Sequence, residues 1–186
     1  MDSALADATR KSGDWLHCHA GCTQCCVGTF AISQLDALRL RQGLAELTVR
    51  DPERAARIRQ RARQSLARIL ADFPGDPVTG ILDQGESAEE RFSGFANDEP
   101  CPVLDPHTGR CDLYDSRPIT CRAFGPPVRS EEGLGVCELC FKGASVEEIA
   151  ACEMQVDPDD LESELLKELE TTSGARGRTI VAFCVA

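Results

Sequence analysis

Four cysteines fall within nine residues, CHAGCTQCC (18–26), and the last two, Cys25 and Cys26, are adjacent. A chain with that many thiols at one point has to fold around whatever occupies them. Adjacent side chains point in different directions, so one ion rarely takes both without strain. Cys25 and Cys26 reach two metal atoms more easily, or one of them stands beside the site as a spare thiol. Eleven cysteines occur in 186 residues, a length sufficient for one domain whose core needs no crosslinks. The opening MDSALADATRKSGDWL has mixed charges and no apolar run of signal-peptide length. No stretch approaches the roughly 20 apolar residues of a membrane span. The expectation is a cytoplasmic protein, where clustered thiols bind metal more often than they form disulfides.

A second group follows in CPVLDPHTGRCDLYDSRPITCRAFG, with Cys101, Cys111 and Cys121 spaced ten apart. His107-Thr108-Gly109 reads as a turn, which lets Cys101 and Cys111 face each other across a loop. Ser116-Arg117-Pro118 reads as a helix start that places Cys121 about one turn in. Arg110, Arg117 and Arg122 lie close by, and arginine offsets the negative charge of thiolates and donates hydrogen bonds to sulfur. Cys137 and Cys140 form a C-x-x-C pair. Histidine is limited to His17, His19 and His107, so an all-thiolate site is expected. His17 and His19 read as solvated neighbours of Cys18. Cys152 and Cys184 read as core residues, because free cysteine packs like a small hydrophobe.

The net charge of −11 argues against non-specific nucleic-acid binding. It is uneven: residues 33–73 carry nine arginines against five acids, and residues 131–170 carry thirteen acids against two lysines. The arginines read as a solvated helix face, with an acidic partner as the other reading. On that basis Arg61→Ala should cost little.

The spacing predicts a mainly α fold with irregular loops and little β. VGTFAI (27–32) reads as a strand or extended segment. Ser33 with Asp36 starts a helix carrying Leu35, Leu38, Leu40 and Leu44. Asp51-Pro52 starts a second, with Ala55, Ile58, Ala62, Leu66, Ile69 and Phe73 in one stripe. Together they form a helical hairpin over 33–73. Residues 74–100 read as loop. Ser145 with Glu148 caps a short helix running to about Cys152. Asp157-Pro158 starts a last helix with Asp159 and Asp160 in its first turn. TIVAFCVA is expected to add an edge strand or to pack on the core.

The order of motifs, C-x-x-x-C-x-x-C-C, then C-P-x-L, G-x-C-x-x-Y and R-P-x-x-C-R, resembles the YkgJ-type cysteine-cluster family, known as a zinc- or iron-chelating domain. The residues carrying the resemblance are Cys18, Cys22, Cys25, Cys26, Cys101, Pro102, Leu104, Gly109, Cys111, Tyr114, Arg117, Pro118, Cys121 and Arg122. A longer member of that family pairs such a domain with lysine methylation of flagellin. Nothing in this chain matches an S-adenosylmethionine site, so that activity is not carried over.

The expectation is one domain over 1–186 organised around a cysteine-bound metal centre, with a motif core at 18–140 and an acidic helical tail at 145–172. Its candidate metal ligands are Cys18, Cys22, Cys25, Cys26, Cys101, Cys111, Cys121, Cys137 and Cys140. They are enough for two four-thiol sites, or for one site and a reactive pair. An iron–sulfur cluster, [4Fe–4S] favoured, is preferred to zinc because the thiol count exceeds what one zinc needs. The alternatives are a thiol redox sensor and a metal-dependent accessory domain of methylase type. No Ser/His/Asp set, phosphate loop or nucleotide motif supports a specific reaction. The expected partner is the metal itself, with no nucleic acid and no membrane.

Overall fold

The computed structural model describes residues 2–19, 21–130 and 133–186. The opening segment, with its mixed charges, forms α1 (Asp2–Ser12) and a 3-10 turn ending at Trp15. After the cysteine run the chain is extended, with bridges at Val27–Pro100 and Ile32–Thr179. Ser33 Oγ then accepts the Asp36 N–H at 3.3 Å and α2 (Gln34–Arg50) begins. Asp51 accepts the Arg54 N–H at 3.0 Å, and Pro52 opens α3 (Pro52–Ile69), its missing N–H costing nothing at a helix start.

The rest is short. The loop assigned to 74–100 contains a small hairpin, β1 (Gly75–Asp76) with β2 (Ile81–Leu82), and a helix, α4 (Glu86–Ser93). Then come the hairpin β3 (Leu104–Asp105)–β4 (Arg110–Cys111), α5 (Ile119–Ala123) and the hairpin β5 (Val128–Ser130)–β6 (Gly133–Gly135). Next follow α6 (Val146–Ala151), α7 (Leu161–Ser173) and α8 (Val181–Val185). The mainly helical fold with little sheet matches the sequence reading.

The helical pair is the main core of the molecule. Leu40, Leu44 and Leu47 of α2 and Ala55, Ile58 and Ala62 of α3 close on Val181, Cys184 and Val185 of α8. Each of the large side chains contributes on the order of 1.5–3 kcal/mol by leaving water. A second cluster joins Ile69, Phe73, Phe95 and Ile180. A third, separate one joins Cys137, Cys140, Phe141 and Cys152 to Trp15 and Leu16.

The β-prone tail packs on the core, one of its two expected outcomes, and does so as a helix, with Thr179 bridging to Ile32 in strand fashion. Val181, Ala182, Cys184 and Val185 are all buried, so burial on every side outweighs the β propensity of valine. The last helix starts three residues later than Asp157-Pro158 indicates: Asp160 adopts a left-handed conformation at φ 50, and Asp157 caps from outside, its carboxylate accepting the Glu162 N–H at 2.7 Å.

Candidate metal centre

Each cysteine of the first run is placed by a backbone contact. Cys25 and Cys26 lie in a 3-10 turn closed by the Cys26 N–H on Thr23 O at 2.8 Å. The Cys26 carbonyl then accepts the Cys101 N–H at 2.8 Å, which brings the two cysteine groups together. Cys111 sits on β4 opposite Leu104, and Cys121 sits in the middle of α5 as its spacing from Pro118 implies. The sulfurs of Cys25, Cys26, Cys101, Cys111 and Cys121 therefore gather from four pieces of chain.

The helical pair holds these pieces from two sides. From α3, Arg54, Arg61 and Arg68 fall seven residues apart on one side of the helix. Arg68 forks onto Glu99 at 2.5 and 3.1 Å. Arg61 donates to Pro102 O at 2.8 Å and to Asp112 Oδ2 at 2.6 Å, while Arg54 reaches Asp112 Oδ1 at 2.5 Å. The Asp112 side chain is 3% exposed, so its charge is held by these two guanidiniums. The ladder thus grips the chain at the residues beside Cys101 and Cys111. Arg39, Arg41, Arg50, Arg57, Arg63 and Arg68 are exposed, as a solvated face requires; the correction concerns Arg54 and Arg61, and with them the expectation that Arg61 is dispensable.

From α2, the Asp36 carboxylate accepts the Ile119 N–H at 3.0 Å and fixes the start of α5. Burial raises the pKa of Asp36 above the ordinary carboxylate value, against that hydrogen bond. Arg39 holds Asp115 O at 2.8 Å. Gly43 lets the Ser116 side chain lie against the helix, where a Cβ would come within 2.1 Å of its oxygen.

The arginines around Cys121 divide. Arg117 stacks on the Tyr114 ring at 3.6 Å and its charge faces Cys25, Cys111 and Cys121. Arg122 is buried and donates to Arg117 O at 3.1 Å and Asp115 O at 2.5 Å, so these bonds shape the loop that carries Arg117.

Donors and burial act on these sulfurs in opposite directions. The N–H groups of Val103 and Leu104 face the Cys101 sulfur, and that of Leu113 faces Cys111, a donor arrangement that favours thiolate. Burial nevertheless pushes Cys101 up to about 12 and raises Cys121 and Cys111. Donation to Cys25, then burial, raises Cys26, and the same hydrogen bond pulls Cys25 down to about 6. Crowded sulfurs disfavour one another's charge, which hydrogen-bond donors and neighbouring positive groups offset. Among the described residues no group of three or more His, Cys, Asp or Glu side chains is placed so that it could hold a metal ion.

Cys18, Cys22, Cys137 and Cys140 lie in a different group. The Cys18 sulfur is pushed up to about 12, by burial first and then by Cys140, Cys22 and Cys137. The residue is exposed as a whole, but its sulfur turns inward to Phe124 O at 3.8 Å. Cys152 and Cys184 are buried, as expected of core residues, and Cys184 donates to Ile180 O at 3.5 Å.

The arrangement is that of a mainly helical, cysteine-rich domain. A family model, CxxCxxCC, described as "Putative zinc- or iron-chelating domain", matches residues 17–141, more than half of the chain, and the chain belongs to that family. The match agrees with the resemblance read from the motifs and supports metal binding in general. No curated protein and no solved structure matches the chain significantly.

Missed by sequence reasoning were Asp36, Asp112, Arg54 and Arg61. The signal for the last two was present: arginines at heptad spacing along the margin of an apolar stripe face the same neighbour as the stripe does.

Proposed function

We propose that the protein holds an iron–sulfur cluster of [4Fe–4S] type on Cys25, Cys101, Cys111 and Cys121, with Cys26 as the hydrogen-bond donor to Cys25. The supporting observation is how the five sulfurs meet. Cys25 and Cys26 share a hydrogen bond, and the thiols of Cys101, Cys111 and Cys121 act on this pair and on one another electrostatically. A single zinc ion draws four sulfurs to about 3.8 Å of each other, given zinc–sulfur bonds of about 2.3 Å in a tetrahedron. A cube takes one thiolate per iron and suits ligands set further apart.

When bound, such a cluster stores or passes single electrons, or stiffens the fold. The chain's own contribution is positional. The α3 arginine ladder sets Cys101 and Cys111, α2 sets Cys121, and Arg117 supplies the adjacent positive charge. Thiols that must stay reduced favour the cytoplasm. No helix among the described residues is long and apolar enough to cross a membrane.

The test is anaerobic purification followed by iron, acid-labile sulfide and zinc analysis with a visible spectrum. A brown protein with matched iron and sulfide supports the reading. A colourless protein whose only metal is zinc, lost on changing Cys101 or Cys121 to Ser, contradicts it.

A further inference from the structure

Among the described residues, Ser65 carries the one buried side-chain oxygen or nitrogen without a hydrogen-bond partner. It is 2% exposed and lies on α3 between Arg61, which holds Pro102 O, and Arg68, which holds Glu99. A serine or threonine inside a helix can turn its hydroxyl onto the carbonyl four residues back. Ser12 on α1 and Thr48 on α2 do so, each at 2.7 Å. Ser65 does not. Its hydroxyl is a neighbour of the Glu99 carboxylate and favours the charge there, without standing in hydrogen-bond geometry to it. Two polar groups that face each other just out of reach are the usual setting for a bridging water.

Ser65 and Glu99 line the same narrow cleft. Its other walls are Gly28–Phe30, directly after the first cysteine run, Pro100–Pro102 around Cys101, and Ile180–Ala182 at the start of α8. The room inside is about 20 Å³, counted as positions open to the centre of a water-sized sphere. On that measure one water needs roughly 10–15 Å³, together with two to four polar partners. The cleft therefore has room for one water and for nothing much larger. The Glu99 carboxylate can serve as one partner: Arg68 donates once to each of its oxygens, and a carboxylate accepts at about four positions.

The walls are tied together, so the space does not simply close. The Gly28 N–H bonds Glu99 O at 2.9 Å, and the Cys101 N–H bonds Cys26 O at 2.8 Å. Gly28 already lies so close to the opposite chain that a Cβ on it would come within 3.0 Å of Asn97 O.

We propose that this cleft is a binding site for a single ordered water, which accepts a hydrogen bond from Ser65 Oγ and donates one to the Glu99 carboxylate. The bridge joins α3 to the segment leading into Cys101, between the direct contacts made by Arg61 and Arg68. It also places one fixed dipole in the wall beside Cys101. The proposal depends neither on which metal the thiols hold nor on whether they hold one.

The test is a high-resolution crystal structure of the full chain, read together with urea unfolding of Ser65→Ala. The wild type is expected to show one water within hydrogen-bond distance of both Ser65 Oγ and the Glu99 carboxylate. Ser65→Ala is expected to lose that water and to unfold at a lower urea concentration, because the water gives up a partner. A wild-type structure in which Ser65 Oγ bonds Glu99 directly, or turns back onto Arg61 O, overturns the proposal. So does a dry cleft. In that case the hydroxyl is an unpaired buried group, and its removal should leave the urea midpoint unchanged or raise it. Either of those two midpoints in the variant counts against the bridge. The wild-type structure decides the matter even if the variant fails to fold.

Discussion

Arg61→Ala separates the structural account from the reading of α3 as a solvated arginine face. The side chain is 21% exposed and bridges Pro102 O at 2.8 Å and Asp112 Oδ2 at 2.6 Å. Hydrogen bonds from a charged donor contribute about 1.5–3 kcal/mol each. Arg54 still holds Asp112 Oδ1 at 2.5 Å, so half of the buried carboxylate keeps its partner. The net loss should be about 2–4 kcal/mol, well above the cost of about 0.5 kcal/mol or less expected for the exposed Arg63→Ala control. The assay is urea unfolding of the reduced protein under anaerobic conditions, followed by helical signal. A cycle with Asp112→Ala should show a coupling on the order of 1 kcal/mol or more, because the two residues share one contact. If Arg61→Ala and Arg63→Ala unfold together, the arginine ladder does not hold the cysteine hairpin and the sequence-level reading stands.

The other predictions are smaller in scope. Ile58→Ala should cost about 2–5 kcal/mol in the same unfolding assay, and the half-buried Leu66→Ala should cost less, since only Ile58 lies wholly in the core. Gly125→Ala should lower stability in the same assay, because at φ +115 its methyl group meets both the Cys18 sulfur and Leu16; unchanged stability would show that this close approach is not needed. Arg122→Lys should fail to rescue the stability lost in Arg122→Ala, because the guanidinium spans Arg117 O and Asp115 O and an ammonium does not. Asp36 has a raised pKa in the fold, so the folded state binds its proton more tightly and stability falls as pH rises through the range above the ordinary carboxylate value. Asp36→Asn, which can still accept from Ile119, should gain stability relative to wild type as pH rises from acidic to neutral, and a flat difference would contradict this.

Much of this was legible in local chemistry. Ser33, Asp51 and Ser145 act as helix caps because their oxygens reach N–H groups three residues on, which is visible in sequence. Pro118 likewise announces α5 and the position of Cys121. The partition of the thiols was not legible. Cys22 and Cys25 are three residues apart, yet their groups are decided by long-range contacts, Cys26 O with Cys101 N–H and Trp15 O with Phe141 N–H. The helix at Val181–Val185 was hidden because a short segment buried on all sides has no amphipathic period to read. Asp112 looked like any surface acid, since nothing local tells that two arginines some fifty residues earlier close over it.

The central claim is that the gathered thiols hold metal. Native mass spectrometry of the intact chain, prepared without oxygen or added metal chelator, tests it most directly. The account predicts a mass above that of the bare chain by iron with sulfide, returning to the bare mass on acid denaturation. A folded chain at its bare mass, with Cys25, Cys101, Cys111 and Cys121 open to a thiol reagent, would contradict it.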